Sequence, residues 1–218
     1  MRRRFVAYGV GFIAVPLAVF LAVAEDVAEH AVFSWDKGLL HFAALHRSGA
    51  LTVLFEFATR LGTTAVMSAL TGSLLLYLLA RRRWRDALFA GVAVGGAALL
   101  NAAVKEMFRR PRPDLFHPLA HASGFAFPSG HTMSSAALAA VVVALTWPTR
   151  WRWPALAPSV LFTVVVGFSR VYLGVHYPSD VVGGWALSLA FVSATYLAAY
   201  RRGRAVGMGP APLSSDID

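Results

Sequence analysis

The sequence predicts an all-α protein that crosses a membrane several times as a single helical bundle. Of its 218 residues, 57% are hydrophobic and only 14% are charged, whereas a soluble domain typically carries about 25% charged residues. The apolar residues occur in long runs without charge, and a helix needs about 20 such residues to cross a bilayer core. The runs are too long and too uniform for barrel strands, so helices are the expected spanning elements.

Six such runs predict six transmembrane helices. The second helix is expected to begin earlier than its run, near Gly49, as one longer tilted helix that contains Glu56 and Arg60. The bundle is expected to occupy residues 1–204, and residues 205–218 are expected to form a disordered cytoplasmic tail. The six runs are Phe5–Ala24, Leu61–Ala80, Ala87–Val104, Thr132–Thr149, Trp153–Ser169 and Val181–Tyr200.

The placement of arginine predicts the orientation. Arginine clusters precede the first run, follow the second, fourth and sixth runs, and fall on one side if all six runs cross the membrane. Because Lys and Arg are enriched in cytoplasmic loops, both termini are expected to be cytoplasmic, in a multi-pass protein of the inner cell membrane. The clusters are Arg2–Arg4, Arg81–Arg85, Arg150–Arg152 and Arg201–Arg204.

The first run could also serve as a signal peptide, since Ala22–Ala24 resembles a cleavage site after a basic start. The run is longer than the usual apolar core of a signal, so an uncleaved helix is favoured. The segment that follows, residues 25–48, is expected on the extracytoplasmic side. Its apolar residues recur at near-helical spacing, which favours an interfacial helix. They are Val32, Trp35, Leu39, Phe42 and Ala43.

The net charge of +9 and the lack of cysteine narrow the possible chemistry. A chain without cysteine has no disulfide, no thiolate nucleophile and no cysteine-based metal site. A basic chain can bind nucleic acid, an anionic membrane surface or an anionic substrate. Because most of the arginines flank apolar runs, membrane lipids are the expected partners and nucleic acid is not.

Three polar clusters lie on the side opposite to the arginine clusters. The first runs from Lys105 to Pro113, the second is Pro128–His131, and the third runs from Ser169 to Asp180. Two predicted crossings separate the second cluster from the third, so all three should meet at the same membrane face. Their basic residues break the charge rule for that side, which indicates residues kept for chemistry rather than orientation.

The residue types in these clusters suit a phosphate group. Lys105, Arg112 and Arg170 can donate several charge-assisted hydrogen bonds to a phosphate dianion. Ser129 and Gly130 begin a helix, whose free N–H groups and positive dipole end favour an anion. Because the cations neutralise the charge of a transferring phosphoryl group, no metal or other cofactor is expected.

Two histidines have distinguishable roles. Asp180 follows His176 by four residues, so both side chains share a face if the segment turns helically there. A carboxylate on one ring nitrogen fixes the tautomer and raises the nucleophilicity of the other nitrogen. His131 has no carboxylate partner in its own segment, and it suits a general acid that protonates the departing oxygen.

Together the clusters resemble the tripartite motif of the type-2 phosphatidic acid phosphatase family (PAP2), whose site is shared with vanadium-dependent haloperoxidases. The motif is Lys, six residues and Arg-Pro; then Pro-Ser-Gly-His; then Ser-Arg, five residues, His, three residues and Asp. Every named position is matched here, by Lys105, Arg112-Pro113, Pro128–His131, Ser169-Arg170, His176 and Asp180.

The resemblance implies a role for each position. His176 would attack phosphorus and form a phosphohistidine, Asp180 would orient it, and His131 would protonate the leaving group and then activate water. The resemblance also implies activity without magnesium and inhibition by vanadate. The phosphate would be held by Lys105, Arg112, Ser129, Gly130 and Arg170.

The predicted function is therefore hydrolysis of a lipid phosphomonoester or diphosphate at the extracytoplasmic face. Undecaprenyl diphosphate, phosphatidylglycerophosphate and phosphatidic acid are the candidate substrates, with a slight preference for the diphosphate. One alternative is a phosphotransferase that uses the same phosphohistidine. Another is a binding-only transporter of lipid phosphates, but that class predicts inverted repeats and broken helices, and the sequence shows neither.

Neighbouring polar residues receive simpler interpretations. Arg109 and Arg110 are expected to meet lipid headgroups or to steer an anionic substrate. His117 and His121 could share a metal but lack an evident third ligand, so solvated loop histidines are favoured. Asn101 is expected to make a hydrogen bond between helices.

Overall fold

The computed structural model describes residues 2–29 and 32–201, with side chains between residues 11 and 200. Eight helices and no strand occupy this part of the chain, which confirms the all-α prediction. The predicted tail, residues 205–218, lies outside the described residues. The helices are α1 Arg2–Ala28, α2 Ser34–Leu45, α3 Gly49–Leu61, α4 Thr64–Ala80, α5 Trp84–Phe108, α6 Gly130–Thr146, α7 Arg152–Tyr172 and α8 Pro178–Arg201.

Length and apolar composition make this a multi-pass membrane protein. Four helices are long and apolar enough to cross a membrane: α1, α5, α7 and α8. The α3–α4 pair meets the same requirement if the two helices are taken together, which makes five. The remaining apolar helix, α6, has 17 residues. Each predicted run thus coincides with a helix, whereas the sixth crossing and the cytoplasmic termini stay predictions.

The predicted long second helix is wrong in one respect, because α3 and α4 are separate and meet at an angle of 49°. Gly62 lies in the break and is packed against the start of α6. A Cβ atom there would lie 2.7 Å from the side chain of Val166 and 3.1 Å from that of His131. The close approach therefore requires glycine, and the break brings the end of α3 beside a predicted catalytic residue.

Helix α8 is at the centre of the packing, where it contacts α1, α5 and α6. Helices α5 and α6 meet through small side chains, since Ala90, Ala93, Ala97 and Ala137 are all buried. Small residues let helix backbones approach closely, which gives van der Waals contact where lipid supplies no hydrophobic driving force.

Helix α2 lies within the segment 25–48 for which a helix was predicted, and it has two contrasting faces. Asp36, Leu40 and Ala43 are buried, and the helix packs against α7 and α8. The other face exposes Trp35, Leu39 and Phe42, and Val32 is exposed just before the helix. An interfacial position stays a prediction, but the burial of an acidic residue on this helix was not expected.

Candidate active site

The site forms where the α5–α6 connection meets the α7–α8 connection. The N–H group of Leu119 donates to the carbonyl oxygen of Leu173 over 2.9 Å. Arg112 donates to the carbonyl oxygen of Val175 over 2.7 Å. The polar clusters that were expected to meet at one end of the bundle are therefore in contact.

His176 lies in a turn whose backbone fixes the direction of the ring. The N–H groups of Val175 and His176 both donate to the carbonyl oxygen of Arg170, over 3.1 and 3.3 Å. Gly174 has φ of 75°, a left-handed conformation that favours glycine after a helix end, and Pro178 begins α8. The ring of His176 is consequently held between two helix ends, with only 2% of the residue exposed.

A partner at each ring nitrogen defines the tautomer of His176. Nδ1 lies 3.3 Å from Oδ2 of Asp180, and Nε2 lies 3.1 Å from a guanidinium nitrogen of Arg112. Because a guanidinium can only donate, Nε2 must accept and the ring proton must be on Nδ1. The ring lone pair is then on Nε2, where a nucleophile needs it, and it accepts from Arg112.

Burial also keeps the His176 ring neutral. Loss of solvation lowers the pKa of His176 to about 4, although the hydrogen bond and charge of Asp180 act in the opposite direction. Arg112 and Arg170 add a smaller repulsion in the same direction as burial. A neutral imidazole near pH 7 is the form that can attack phosphorus.

Asp180 is fully buried in the first turn of α8, and both of its carboxylate oxygens have partners. Oδ2, which faces His176, also accepts the N–H of Tyr177 over 2.8 Å. Oδ1 accepts from Arg110 over 2.6 Å. The expectation that Arg110 meets lipid headgroups or steers a substrate is wrong, because the residue is 6% exposed and lies over the Tyr177 ring at 4.3 Å.

A cavity of about 860 Å³ opens beside His176. Lys105, Arg112 and Arg170 line it, so three cations lie next to the nucleophile. Lys105 also donates to the carbonyl oxygen of Phe125. These positions match the sequence-based phosphate ligands, and their charges favour an anion at this end of the cavity.

Arg170 has a buried donor that no acceptor satisfies in this part of the chain. Its guanidinium donates to the hydroxyl of Thr59 on α3, whereas its Nε is buried without a hydrogen-bond partner among the described residues. A buried N–H group without an acceptor is costly, and a phosphate oxygen is a suitable acceptor. Thr59 itself lines the cavity, and the sequence offered no motif that would have identified it.

The start of α6 contributes in two different ways. Gly130 and His131 belong to its first turn and line the cavity, where the N–H groups have no acceptor within the helix. Ser129 is fully buried behind them. Its N–H donates to the Asp180 carbonyl oxygen over 3.1 Å, and its hydroxyl accepts from Thr132 over 2.9 Å. Phosphate binding by Ser129 stays a prediction.

Two residues near the cations agree with the sequence-based interpretation. Asn101 makes the expected contact between helices, because its Nδ2 donates to Sδ of Met133 on α6 over 3.5 Å, and it also donates to the Pro128 carbonyl oxygen just before that helix. His121 is an exposed loop residue, as expected, and it also lines the cavity. Within the residues that the structure describes, no group of three or more His, Asp or Glu side chains is placed to hold a metal ion.

Away from the cations, the cavity continues between α4 and α5. The stretch of α5 that lines it, from Gly91 to Lys105, is roughly 20 Å long at the helical rise. A second groove of about 450 Å³ adjoins it at Leu75 and Gly91. Small side chains form much of the wall in this region, and they include Ser68, Thr71, Gly72, Gly91, Gly95 and Ala98.

Known proteins resemble this chain in sequence and in fold. Phosphatidylglycerophosphatase B of Bacillus subtilis (strain 168) is 34% identical over 175 residues, which cover 78% of this chain and 86% of the relative. Undecaprenyl-diphosphatase BcrC of the same strain is 27% identical over 149 residues, which cover 66% of this chain and 72% of the relative.

The crystal structure of the transmembrane PAP2-type phosphatidylglycerolphosphate phosphatase from Bacillus subtilis has a TM-score of 0.76 and 30% identity. The match covers 90% of this chain and 98% of the chain in that crystal structure. These relatives are membrane phosphatases, which confirms the prediction that the chain is a phosphatase. The family model of the PAP2 superfamily matches residues 86–204, and the chain belongs to that superfamily.

Proposed function

We propose that the protein hydrolyses a phosphate or diphosphate group on a lipid through a phosphohistidine at Nε2 of His176. One observation carries the proposal. A neutral histidine, held between Asp180 and Arg112, opens onto a cavity that is cationic at one end and continues between two apolar helices. That combination suits a molecule with a phosphate head and an apolar tail.

In the first step, the Nε2 lone pair attacks phosphorus as the bond to the leaving oxygen breaks. Arg112, which donates to Nε2 in the free site, transfers that hydrogen bond to a phosphoryl oxygen. Arg170 and Lys105 stabilise the other oxygens. The proton on Nδ1 stays on the ring, and Asp180 stabilises the positive charge that develops there.

His131 transfers the protons of both steps. It enters the first step as the imidazolium, which the negative charge of the bound phosphate favours, and donates its proton to the leaving oxygen as the phosphohistidine forms. It then accepts a proton from a water molecule that attacks phosphorus, and the N–P bond breaks to release phosphate and restore His176. Both histidines line the same cavity, so one bound phosphoryl group can meet both.

The relatives suggest which lipids to test. Phosphatidylglycerophosphate comes first, because a relative that matches 78% of this chain is named for that activity, and undecaprenyl diphosphate follows from another relative. The site would face the extracytoplasmic side of the inner membrane, with α1, α3–α4, α5, α6, α7 and α8 as six crossings. The arginine clusters support that orientation, because they occur at the opposite ends of these helices.

The test is phosphate release by the detergent-purified protein in excess EDTA. Phosphatidylglycerophosphate, undecaprenyl diphosphate and phosphatidic acid are compared with the wild type, His176→Ala and His46→Ala. His46 is an exposed histidine away from the cavity. We expect turnover of at least one lipid, lost in His176→Ala and kept in His46→Ala, with an acid-labile phosphoenzyme in the wild type.

Retained turnover in His176→Ala would remove the nucleophile assignment. A folded wild-type protein that releases no phosphate from any lipid would contradict hydrolysis. It would favour a phosphotransferase that lacks its acceptor, or a protein that only binds lipid phosphates. Addition of alcohols to the same assay separates these two, because only the phosphotransferase would then yield a new phosphate ester.

The lipid tail is tested separately at Gly95. A Cβ atom there meets nothing within 4 Å, so Gly95→Phe should project into the cavity without disturbing the helices. We expect kcat/KM for a long-chain lipid to fall about tenfold more than for a short-chain analogue, because lost apolar contacts of this kind are worth about 1–3 kcal/mol. Gly11→Phe, at an equally open and exposed position on α1, is the control, and equal losses on both substrates would exclude the tail site.

A further inference from the structure

A chain of buried charges continues behind Asp180, on the side away from the cavity. Arg110 lies between two carboxylates, 2.6 Å from Asp180 and 3.2 Å from Asp36 on α2. The side chain of Arg110 is 6% exposed, and those of both acids are completely buried. Buried ions are expensive unless they are paired and hydrogen-bonded, so an arrangement of three needs a reason.

Asp36 also holds the beginning of α8, the helix that bears Asp180. Its Oδ1 accepts the N–H of Ser179 over 2.8 Å, and its Oδ2 accepts the Ser179 hydroxyl over 2.6 Å. That hydroxyl accepts in turn from Arg110 over 2.8 Å. One carboxylate of α2 thus satisfies a free N–H at a helix start and fixes the guanidinium that grips Asp180.

The geometry determines which oxygen of Asp180 faces the nucleophile. With Oδ1 held by Arg110, Oδ2 is the oxygen directed at Nδ1 of His176. Asp36 also shares the positive charge of Arg110. Without Asp36, the positive charge of Arg110 would act on Asp180 alone and would concentrate the negative charge of that carboxylate on Oδ1. Oδ2 would then be a weaker acceptor for the ring proton of His176.

We infer that Asp36 and Arg110 are positioning residues of the reaction, which act on His176 through Asp180. The inference rests on the proposed function. Asp36 has no exposed surface, so it can affect turnover only through its partners. Helix α2, which carries none of the motif residues, thereby becomes part of the assembly that aligns the nucleophile.

Asp36→Asn is the test, with kcat, KM and the rate of phosphoenzyme formation measured on the lipid that the wild type hydrolyses best. We expect kcat and phosphoenzyme formation to fall about 10- to 100-fold, the range seen when groups that orient a metal ligand are removed. KM should stay within about twofold, because Asp36 does not meet the substrate. A kcat within twofold of the wild type would overturn the inference.

Asp86→Asn is the matched control. Asp86 is also a buried carboxylate, 2.6 Å from an arginine, but it lies in the first turn of α5, at the end of that helix away from the site. We expect both variants to lose thermal stability and only Asp36→Asn to lose kcat. Equal losses of kcat in the two variants would show a general effect of destabilisation and would overturn the inference.

A double-mutant cycle separates positioning from folding. If Asp36 acts through Asp180, then Asp36→Asn should change phosphoenzyme formation little once Asp180→Asn is present. Arg110→Lys, which keeps the charge, is used in place of Asp36→Asn in both backgrounds if that variant does not fold. Additive effects in the cycle would contradict the inference. Failure of the proposed function looks different, because turnover would then survive His176→Ala or be absent from the wild type.

Discussion

Buried ionic groups occur at both ends of α5, and the two groups differ in what they touch. At the start of the helix, Asp86 pairs with Arg83 at 2.6 Å and accepts from the hydroxyl of Tyr200 near the end of α8. This group fastens one helix to another. These three residues are in contact through Asp86, and none of them lines the cavity.

Just past the other end of α5, Arg110 joins Asp36 to Asp180. The ingredients are similar, with carboxylate, guanidinium and hydroxyl groups removed from solvent. Here, however, the last partner is the ring of His176. The contrast teaches that burial and pairing do not distinguish a structural ion pair from a functional one, whereas the final group in the network does.

The largest effect is expected from removing one charge at each end in turn. Asp180→Asn should lower kcat about 10³-fold or more, because the matching change in a serine protease triad costs about 10⁴ through the wrong histidine tautomer. Asp86→Asn should leave kcat unchanged. The measurement is phosphate release by the two purified variants. Comparable losses of kcat would contradict the assignment of one ionic group to structure and the other to function.

The protonation state of His176 gives a smaller but more direct test. Since burial lowers the pKa of His176 to about 4, the ring should stay neutral as the pH falls from 7 through 6.5, the usual value for histidine. Its proton should be on Nδ1. Nitrogen NMR of histidine-labelled protein can report both properties, with the signals assigned by their loss in His176→Gln.

Turnover should also persist well below pH 6.5 and fall only at more acidic pH. Protonation removes the Nε2 lone pair, so the nucleophile is lost only as the pH approaches its lowered pKa of about 4. A ring that is already charged at pH 6, or a proton on Nε2, would contradict the arrangement of Asp180 and Arg112 described above. The ionisation of the substrate phosphate has to be corrected for in any rate profile.

The smallest effect is expected from Tyr200→Phe, which removes the hydroxyl that binds Asp86. We expect a loss of about 1–3 kcal/mol, because Asp86 is left with an unsatisfied buried oxygen, and a thermal midpoint lower by several degrees. Turnover at 25 °C should not change. A loss of activity without a loss of stability would mean that this end of the bundle also contributes to the site.

Much of the architecture could be predicted because the physical signals are local. A run of apolar residues without charge is sufficient to indicate a helix in a membrane, and six such runs coincide with helices of the structure. The residues that line the site could also be predicted from the sequence motif. Lys105, Arg112, His131, Arg170 and His176 line one cavity, as the positions of the three clusters along the chain predicted.

The break at Gly62 and the buried network were not predicted, for different reasons. The Gly-Thr-Thr sequence at 62–64 is a recognisable interruption, but the surrounding apolar run suggests continuity. Asp36 is buried on one face of α2 with Leu40 and Ala43, at helical spacing from both. That spacing was the available signal, and it was outweighed by the larger apolar residues on the opposite face.

The separation of Asp36 from its partners along the chain has a consequence for biosynthesis. Ser179 is made 143 residues after Asp36, which takes roughly 7 to 30 s at the usual pace of translation. Arg110 comes between them in the sequence. Until Arg110 is made, 74 residues after Asp36, a carboxylate destined for complete burial has no cation to neutralise it. If α2 lies at the bilayer surface, as the sequence predicts, Asp36 stays in contact with water until its partners are made. Such a position would let the newly made chain carry this charge until folding buries it.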